Sequence, residues 1–243
     1  DESGDPGPWY VEFSSTTYTV NEGEEATITL VRAEGSSDPV AVYWSIGGTA
    51  SPVLDYTGVW ESGLSGPRGI VSFAADETSK TFTIPTVGDD GYEGDETVVL
   101  HLLNPTGGPV RAPNDTAVLT IKEVDPMPTA FIFALNLVGP DYYDGAEEND
   151  PGLKVVFDVY VDGKSLVPVI LDWTSVNGTA TAGSDFIANS GVLNFGPVNG
   201  PTVQTVSVTL NNDAVPELLE YLIGRLSNPQ NVEITDAEDN AYI

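Results

Sequence analysis

The 243-residue sequence contains no cysteine, one histidine and only eight lysine and arginine residues. Without cysteine the chain forms no disulfide bond and no thiolate metal site, and a single histidine argues against structural zinc. The scarcity of basic residues and a net charge of −29 at pH 7 argue against binding to nucleic acid or to an anionic membrane surface. This charge favours cations as partners.

Long hydrophobic runs and helical periodicity are also missing. No apolar run approaches the roughly 20 residues of a membrane-spanning helix, so we expect no membrane span in this fragment. The chain starts at Asp1 with no signal peptide, and we expect it to be a piece of a longer repeat array. Hydrophobic residues make up 40% of the chain, which is enough for packed cores, and 25 glycines and 18 prolines indicate many turns.

Apolar and polar residues alternate in short segments along the first half of the chain. Ala26, Ile28 and Leu30, for example, alternate with threonines, as in a sheet with one buried face. The segments predicted as strands are 9–13, 26–31, 40–44, 69–73, 81–84, 97–103 and 117–121. About seven strands in a domain of this size predict an immunoglobulin-like β-sandwich.

The second half of the chain repeats the first. The recurring residues are Trp44 and Trp173, the Gly-Thr-Ala segments at 48–50 and 178–180, Asp55 and Asp185, and Glu96 and Glu220. Strands are predicted there at 131–136, 155–161, 167–173, 191–195, 203–210 and 221–226, with an incomplete last strand starting at 240.

Between the two halves, Pro126 and Pro128 make a short, stiff linker. We therefore predict an all-β protein of two tandem immunoglobulin-like, seven-stranded antiparallel β-sandwiches. Their predicted bounds are residues 9–125 and 126–243.

The segment 89–96 holds five carboxylates in eight residues, where the chain average of 37 acids in 243 residues gives about 1.2. It lies between two predicted strands, and its two glycines let the backbone fold back there. Carboxylates crowded this closely repel one another unless a cation binds them or water screens them. We interpret the segment as a Ca²⁺ loop, and the alternative is a polar rim of solvated acids.

Other acids are predicted to meet this loop at one pole of the sandwich. If each strand runs opposite to its predecessor, the first, third and fifth connections share a pole, and they carry Glu22, Asp55 and the segment 89–96. The last strand of the first domain ends at the same pole and brings Glu123 and Asp125. Calcium takes about six to eight oxygen ligands and tolerates irregular geometry, so such loops suit it better than magnesium. A site this acidic should bind more than one ion.

Four motifs together resemble the Calx-β domain family. They are Asn21-Glu22-Gly23, Gly48-Thr49-Ala50 with Asp55-Tyr56, the run from Asp89 to Thr97, and Leu103-Asn104-Pro105. The family includes the cytosolic calcium sensors of sodium–calcium exchangers, an integrin β-subunit module and bacterial surface repeats. The resemblance covers nearly all of residues 9–125 and implies a seven-stranded sandwich that binds Ca²⁺ at this pole. Carried over position by position, the implied calcium ligands are Glu22, Asp55, Asp89, Asp90, Glu93, Glu96, Glu123 and Asp125.

The second domain departs from this pattern. Asn212 stands where the first domain has Asp89, and Leu219 replaces Asp95, so the ligand charge and the calcium affinity should both fall. The acids that remain for a weaker site are Glu148, Asp185, Asp213, Glu217 and Glu220. We expect this domain to bind Ca²⁺ poorly or not at all.

Catalysis is not expected. The single histidine, His101, lies in a predicted strand and points away from its apolar face, and no nucleophile-elbow motif is present. The favoured function is a calcium-binding structural repeat of a secreted or cell-surface, adhesin-like protein, in which Ca²⁺ stiffens the junction between the domains. Its partners would be neighbouring repeats or another surface protein. The alternative is a calcium sensor that changes the interdomain orientation, in the cytosolic part of a larger membrane protein.

Overall fold

A computed structural model of the chain describes residues 10–33, 38–58, 68–103, 110, 113–138, 152–211 and 219–243. Contacts divide the chain into two compact units. The first unit comprises Asp1–Asp89 and Gly94–Val124, and the second comprises Asp90–Glu93 and Asp125–Ile243. Nowhere in the described ranges is there a helix with the length and apolar character needed to cross a membrane.

The first unit is a sandwich of two β-sheets. Its strands are β1 (Val11–Phe13), β2 (Thr17–Asn21), β3 (Glu25–Arg32), β4 (Val40–Gly48), β5 (Arg68–Phe73), β6 (Ser79–Pro85), β7 (Glu96–Leu103) and β8 (Thr116–Lys122). One sheet has the order β1-β3-β6 and the other the order β2-β8-β7-β4-β5. The predicted sandwich is confirmed. Residue 9, where the first strand was predicted to begin, lies outside the described residues.

The core of the first unit is formed by the alternating apolar residues on which the strand prediction rested. Ile28 and Leu30 are fully buried, while Thr27 and Thr29, which alternate with them, face outward. Trp44 is buried and stacks on Phe82, with ring centroids 4.7 Å apart. Burying a large apolar side chain contributes roughly 1.5–3 kcal/mol, so these strands are stabilised mainly by their inward faces.

The first predicted strand, 9–13, corresponds to β1, but β2, which follows it, was not predicted. β1 pairs with β3, after which the chain crosses to the other sheet, where β2 pairs with β8 in parallel. Sequence patterning misses β2 because Val20 is the one fully inward apolar residue among its five residues. The crossing matters for the site because β2 and β8 end side by side, next to Glu22 and Glu123.

The second unit is also a two-sheet sandwich. Its strands are β9 (Thr129–Val138), β10 (Lys154–Asp162), β11 (Lys164–Asn177), β12 (Ser190–Asn199), β13 (Thr202–Thr209), β14 (Tyr221–Gln230), β15 (Glu233–Asp236) and β16 (Glu238–Tyr242). The sheet orders are β13-β10-β9-β15 and β12-β11-β14-β16. Trp173 is buried in this core, as Trp44 is in the first.

The end of the second unit differs from the prediction of a last strand that starts at residue 240. One further strand, β15, precedes it and pairs with β9 in parallel, and the last strand, β16, begins two residues earlier than predicted, at Glu238, and pairs with β14. Sequence patterning misses β15 and the first two residues of β16 because both strands are rich in acids and Ala241 is their one fully buried residue. Backbone pairing and a hydrogen bond from the Ala134 amide to the Asp239 carboxylate (2.8 Å) hold this segment in place.

Candidate metal centre

The acids predicted to meet do converge at one pole of the first unit. Glu22 follows β2, Asp55 lies between β4 and β5, Glu96 begins β7, and Glu123 follows β8. Antiparallel pairing of β7 with both β4 and β8 places these chain ends at the same side of the sheet. Six of the eight predicted ligands form two groups of three carboxylates.

Glu22, Glu123 and Asp125 form the first group. Each residue offers a carboxylate oxygen that lies within 4.8 Å of the others. The backbone fixes two of them: the Glu22 amide donates to the Lys122 carbonyl (3.1 Å), and the Gly94 amide donates to Glu123 Oε2 (2.9 Å). One oxygen of Asp125 is shielded from solvent.

Asp55, Glu93 and Glu96 form the second group, and their oxygens meet the same 4.8 Å limit. Asp55 is only 7% exposed, and its carboxylate accepts a hydrogen bond from the Ser51 amide. Its carbonyl accepts another from the Val87 amide (2.9 Å), which fixes the loop relative to the segment after β6. One oxygen of Glu96 is also shielded from solvent.

The Tyr56 hydroxyl shows that this pole is partly buried. Tyr56, which follows Asp55, is 1% exposed. Burial, and after it the nearby Asp55 charge, raises the pKa of the Tyr56 hydroxyl. The pole therefore rests on the apolar core, where water screens charges less well than at an open surface.

Glu93 and Asp125 are assigned by their contacts to the second unit, but each is bonded directly to the first. Glu93 precedes Gly94, and Asp125 follows Val124.

Asp89 and Asp90 belong to neither group. Both are exposed, and the Asp90 carboxylate forms an ion pair with Lys164. Within the second unit, the segment 90–93 also forms backbone hydrogen bonds with Lys164 and Leu166, through Tyr92 (3.2 and 2.9 Å). Sequence reasoning missed the lysine, because no local pattern links residues 74 positions apart.

Asp95, which was left out of the predicted ligands, has a different partner. Its carboxylate forms an ion pair with Lys122 and accepts a hydrogen bond from the Glu123 amide (3.1 Å). The Lys122 hydrogen bond and then the Glu123 amide lower the pKa of Asp95. Asp95 thus holds the end of β8 in place, where Glu123 joins the first group.

The second unit reproduces part of this arrangement. The Asp185 carboxylate accepts from the Thr181 amide (2.6 Å) and its carbonyl from the Asn211 amide (3.0 Å), as Asp55 does with Ser51 and Val87. Glu220 Oε2 is buried without a hydrogen-bond partner in the described part of the chain. The remaining acids named for this domain, Glu148, Asp213 and Glu217, lie outside the described residues, as does Asn212.

The donor set of the first unit fits a hard divalent cation. Both groups consist only of carboxylate oxygens, which calcium prefers, and neither offers the nitrogen or sulfur that zinc sites use. Three carboxylates within 4.8 Å of one another repel strongly when nothing lies between them. A cation at the centre of each group would turn that repulsion into attraction.

Comparison with known proteins gives a family match in both halves of the chain. The family model of the Calx-beta domain matches residues 5–125 and 147–241. Extracellular matrix protein 3 of Lytechinus variegatus is 31% identical over 72% of this chain, and the sodium/calcium exchanger Calx of Drosophila melanogaster is 29% identical over 80% of it. The chain spans only 5% and 19% of the lengths of these two relatives.

The solved structures that resemble this chain include two that are named as domains of Calx. CBD12 from CALX1.2 is 22% identical, with 90% of this chain and 80% of that chain covered and a TM-score of 0.43. The apo form of the Calx CBD1 domain is 28% identical, with 49% and 99% covered and a TM-score of 0.42.

Proposed function

The chain belongs to the Calx-β domain family, and on that premise we propose that the pole of its first unit binds calcium ions. The observation that carries the proposal is the pair of carboxylate groups, each with three oxygens within 4.8 Å. Glu22, Glu123 and Asp125 would hold one ion and Asp55, Glu93 and Glu96 another. Calcium bound there would neutralise the pole and tie together chain segments that carry like charges.

We propose that Asp89 and Asp90 complete the ligand set at its exposed edge. Asp90 is 82% exposed at its side chain and is paired with Lys164, so it would have to exchange the lysine for an ion. Exposed pairs of this kind contribute only about 0–1 kcal/mol, which a divalent cation readily outweighs. Lys164 would therefore act as a weak internal competitor for the site.

The second unit is proposed to bind calcium weakly or not at all. Asp185 keeps the backbone hydrogen bonds of Asp55. However, the Val87 and Asn211 amides, which bond to Asp55 and Asp185, are 124 positions apart, so Asp213 rather than Asn212 corresponds to Asp89, and Ala214 stands where the first domain has Asp90. A charged ligand fewer means lower affinity.

The biological role proposed is a structural repeat of a secreted or cell-surface, adhesin-like protein, with domain bounds at 9–125 and 126–243. Glu123 and Asp125 lie immediately before the Pro126–Pro128 linker, so an ion bound there would restrict how the chain leaves the first domain. The absence of cysteine and the net charge of −29 support this role, as does a relative that is named an extracellular matrix protein. Neighbouring repeats or another surface protein would be its partners.

The second candidate role is a calcium sensor that changes the interdomain orientation, in the cytosolic part of a membrane protein. The observation that favours it is the 29% identity to a sodium/calcium exchanger. Affinity separates the two roles: an extracellular brace needs about 10⁻⁴–10⁻³ M, whereas cytosolic sensors work at about 10⁻⁷–10⁻⁵ M.

A binding role, rather than catalysis, is proposed for the whole chain. His101 lies exposed on β7, where its Nδ1 is 3.2 Å from the Thr116 hydroxyl. No other histidine and no cysteine is present in the sequence.

Thermal unfolding of the whole chain tests the proposal. Because calcium would bind the folded first unit and not the unfolded chain, it should stabilise that unit by RT ln(1 + [Ca²⁺]/Kd), about 2.7 kcal/mol at a hundred times Kd. The unfolding transition of the first unit should therefore occur at a higher temperature in calcium than in EDTA. Magnesium at the same concentration is the control for charge screening, and an equal shift with both ions would contradict a calcium site.

A further inference from the structure

The sheet of the second unit that contains β9, β10 and β13 turns an apolar face to solvent. On β9, the side chains of Phe131, Phe133 and Leu135 are 36, 52 and 42% exposed. Strand register places Tyr160 of β10 opposite Phe131, and Val203 of β13 opposite Tyr160. These five residues are called the aromatic face below. The Phe131 and Tyr160 rings stack with centroids 5.0 Å apart and planes 10° apart.

The fold itself does not require this face to be apolar, because the first unit builds the same sheet with a polar one. There, register pairs Thr29 with Thr81 and Thr27 with Thr83 on the outer side of β3 and β6. Glu12 is the outward residue of β1. An exposed apolar patch that the fold does not need points to a binding surface.

A carboxylate lies within the aromatic face. Asp158 of β10 is opposite Phe133 on one side and Thr205 on the other. Its oxygens accept hydrogen bonds from the Thr205 hydroxyl (2.7 Å) and from the Tyr160 hydroxyl (3.4 Å). A carboxylate has about four acceptor sites, so Asp158 retains the capacity for an incoming donor.

We propose that the aromatic face docks a segment of another protein that presents arginine or lysine side chains beside apolar ones. The cationic head would pair with Asp158 while its stem, or the guanidinium plane, lies against the ring of Phe133 or Tyr160. The net charge of −29 disfavours a second copy of this chain and an anionic membrane as occupants. This inference is independent of calcium binding at the first unit.

The test uses a labelled synthetic octapeptide of alternating arginine and leucine, titrated with the whole chain at about 0.15 M salt, where surface charges are screened beyond roughly 8 Å. Fluorescence anisotropy reports the affinity. Phe133→Thr, which installs the residue type of the first unit, and Asp158→Asn should each weaken binding about fivefold. The matched control is Glu12→Gln, which removes one charge from the same sheet of the first unit and should leave the affinity unchanged.

Three results would overturn the proposal. Equal weakening by Asp158→Asn and Glu12→Gln would mean diffuse attraction to an acidic chain. Equal binding of a glutamine–leucine peptide would remove the role of the cation. A dimer that sedimentation detects and Phe133→Thr abolishes would make a second copy the occupant.

Amide chemical shifts of the unmodified chain provide a second readout, which needs no variant and so is unaffected if a variant misfolds. Addition of the arginine–leucine peptide should move resonances of β9, β10 and β13. Shifts confined to other strands would place the binding elsewhere and contradict the proposal.

Discussion

At the scale of single residues, backbone amides hold the carboxylates of the pole close together. Ser51 donates to Asp55, and Gly94 donates to Glu123. Each such bond holds a carboxylate in place although the neighbouring carboxylates repel it. For two unit charges 4 Å apart, the repulsion is about 4 kcal/mol at an effective dielectric constant near 20. On the proposal that this pole binds calcium, the loops would be arranged for the ion before it arrives, which is how a protein limits the ordering cost of binding.

Neutralising two members of the second group should remove most of the calcium affinity. Asp55→Asn combined with Glu96→Gln keeps the size of both side chains but removes two charges, and we expect the affinity to fall by about a hundredfold. Calorimetric titration measures the change. Glu77→Gln is the control, because Glu77 pairs with Lys80 away from the pole. If the control weakened binding as much, general charge rather than the group would be responsible.

Lys122 is expected to control the titration of Asp95. The pKa of Asp95 is lower when folded, so its pairing stabilises the protein above the unfolded value of about 3.9 and is lost as the pH falls through the lowered folded value. Lys122→Met should raise this pKa toward its ordinary value, as measured by NMR of the carboxyl carbon. Lys80→Met should not change it. An unchanged Asp95 pKa in Lys122→Met would show that the ion pair does not form in solution.

At the scale of strands, close packing of Trp44 against Gly69 joins β4 to β5. Gly69 of β5 pairs with Trp44 of β4, and a Cβ at Gly69 would lie 2.4 Å from the indole ring. The Trp44 ring therefore lies against the backbone of Gly69. This pairing of β4 with β5 requires a residue without a side chain at position 69.

Gly69→Ala should destabilise the first unit by about 1–3 kcal/mol because the methyl group forces the Trp44 ring to move. The matched control is Gly47→Ala on β4, where nothing lies within 4 Å of the added Cβ and the change should stay within about 0.5 kcal/mol. Urea unfolding monitored by tryptophan fluorescence compares the two. Equal losses of stability in the two variants would mean that the contact with the Trp44 ring does not cause the destabilisation.

The strands that sequence could predict are those with alternating apolar residues. β3, with Ile28 and Leu30, was found from pattern alone, and the parity of such strands was enough to bring Glu22, Asp55 and Glu123 to one pole. β2 and β16 were missed or misplaced because backbone pairing to a neighbouring strand, and not an apolar face, defines them. The ion pair of Asp90 with Lys164 depends on the folded chain path, which no spacing in the sequence reports.

At the scale of the whole molecule, two copies of one fold carry different surfaces. The first unit places two groups of three carboxylates at its pole and a threonine-rich face on one sheet. The second keeps Asp185 in the same hydrogen-bonded loop as Asp55, but its corresponding sheet carries the aromatic face. The proposals above accordingly give calcium binding to the first copy and protein docking to the second.

The most direct test of the central claim is a calorimetric titration of the EDTA-stripped whole chain with calcium, because it gives stoichiometry and affinity together. The account predicts at least two ions per chain, bound by the first unit, and loss of the strongest heat signal in the variant that combines Asp55→Asn with Glu96→Gln. A titration that shows no calcium heat, or a full signal that survives in this variant, would contradict it.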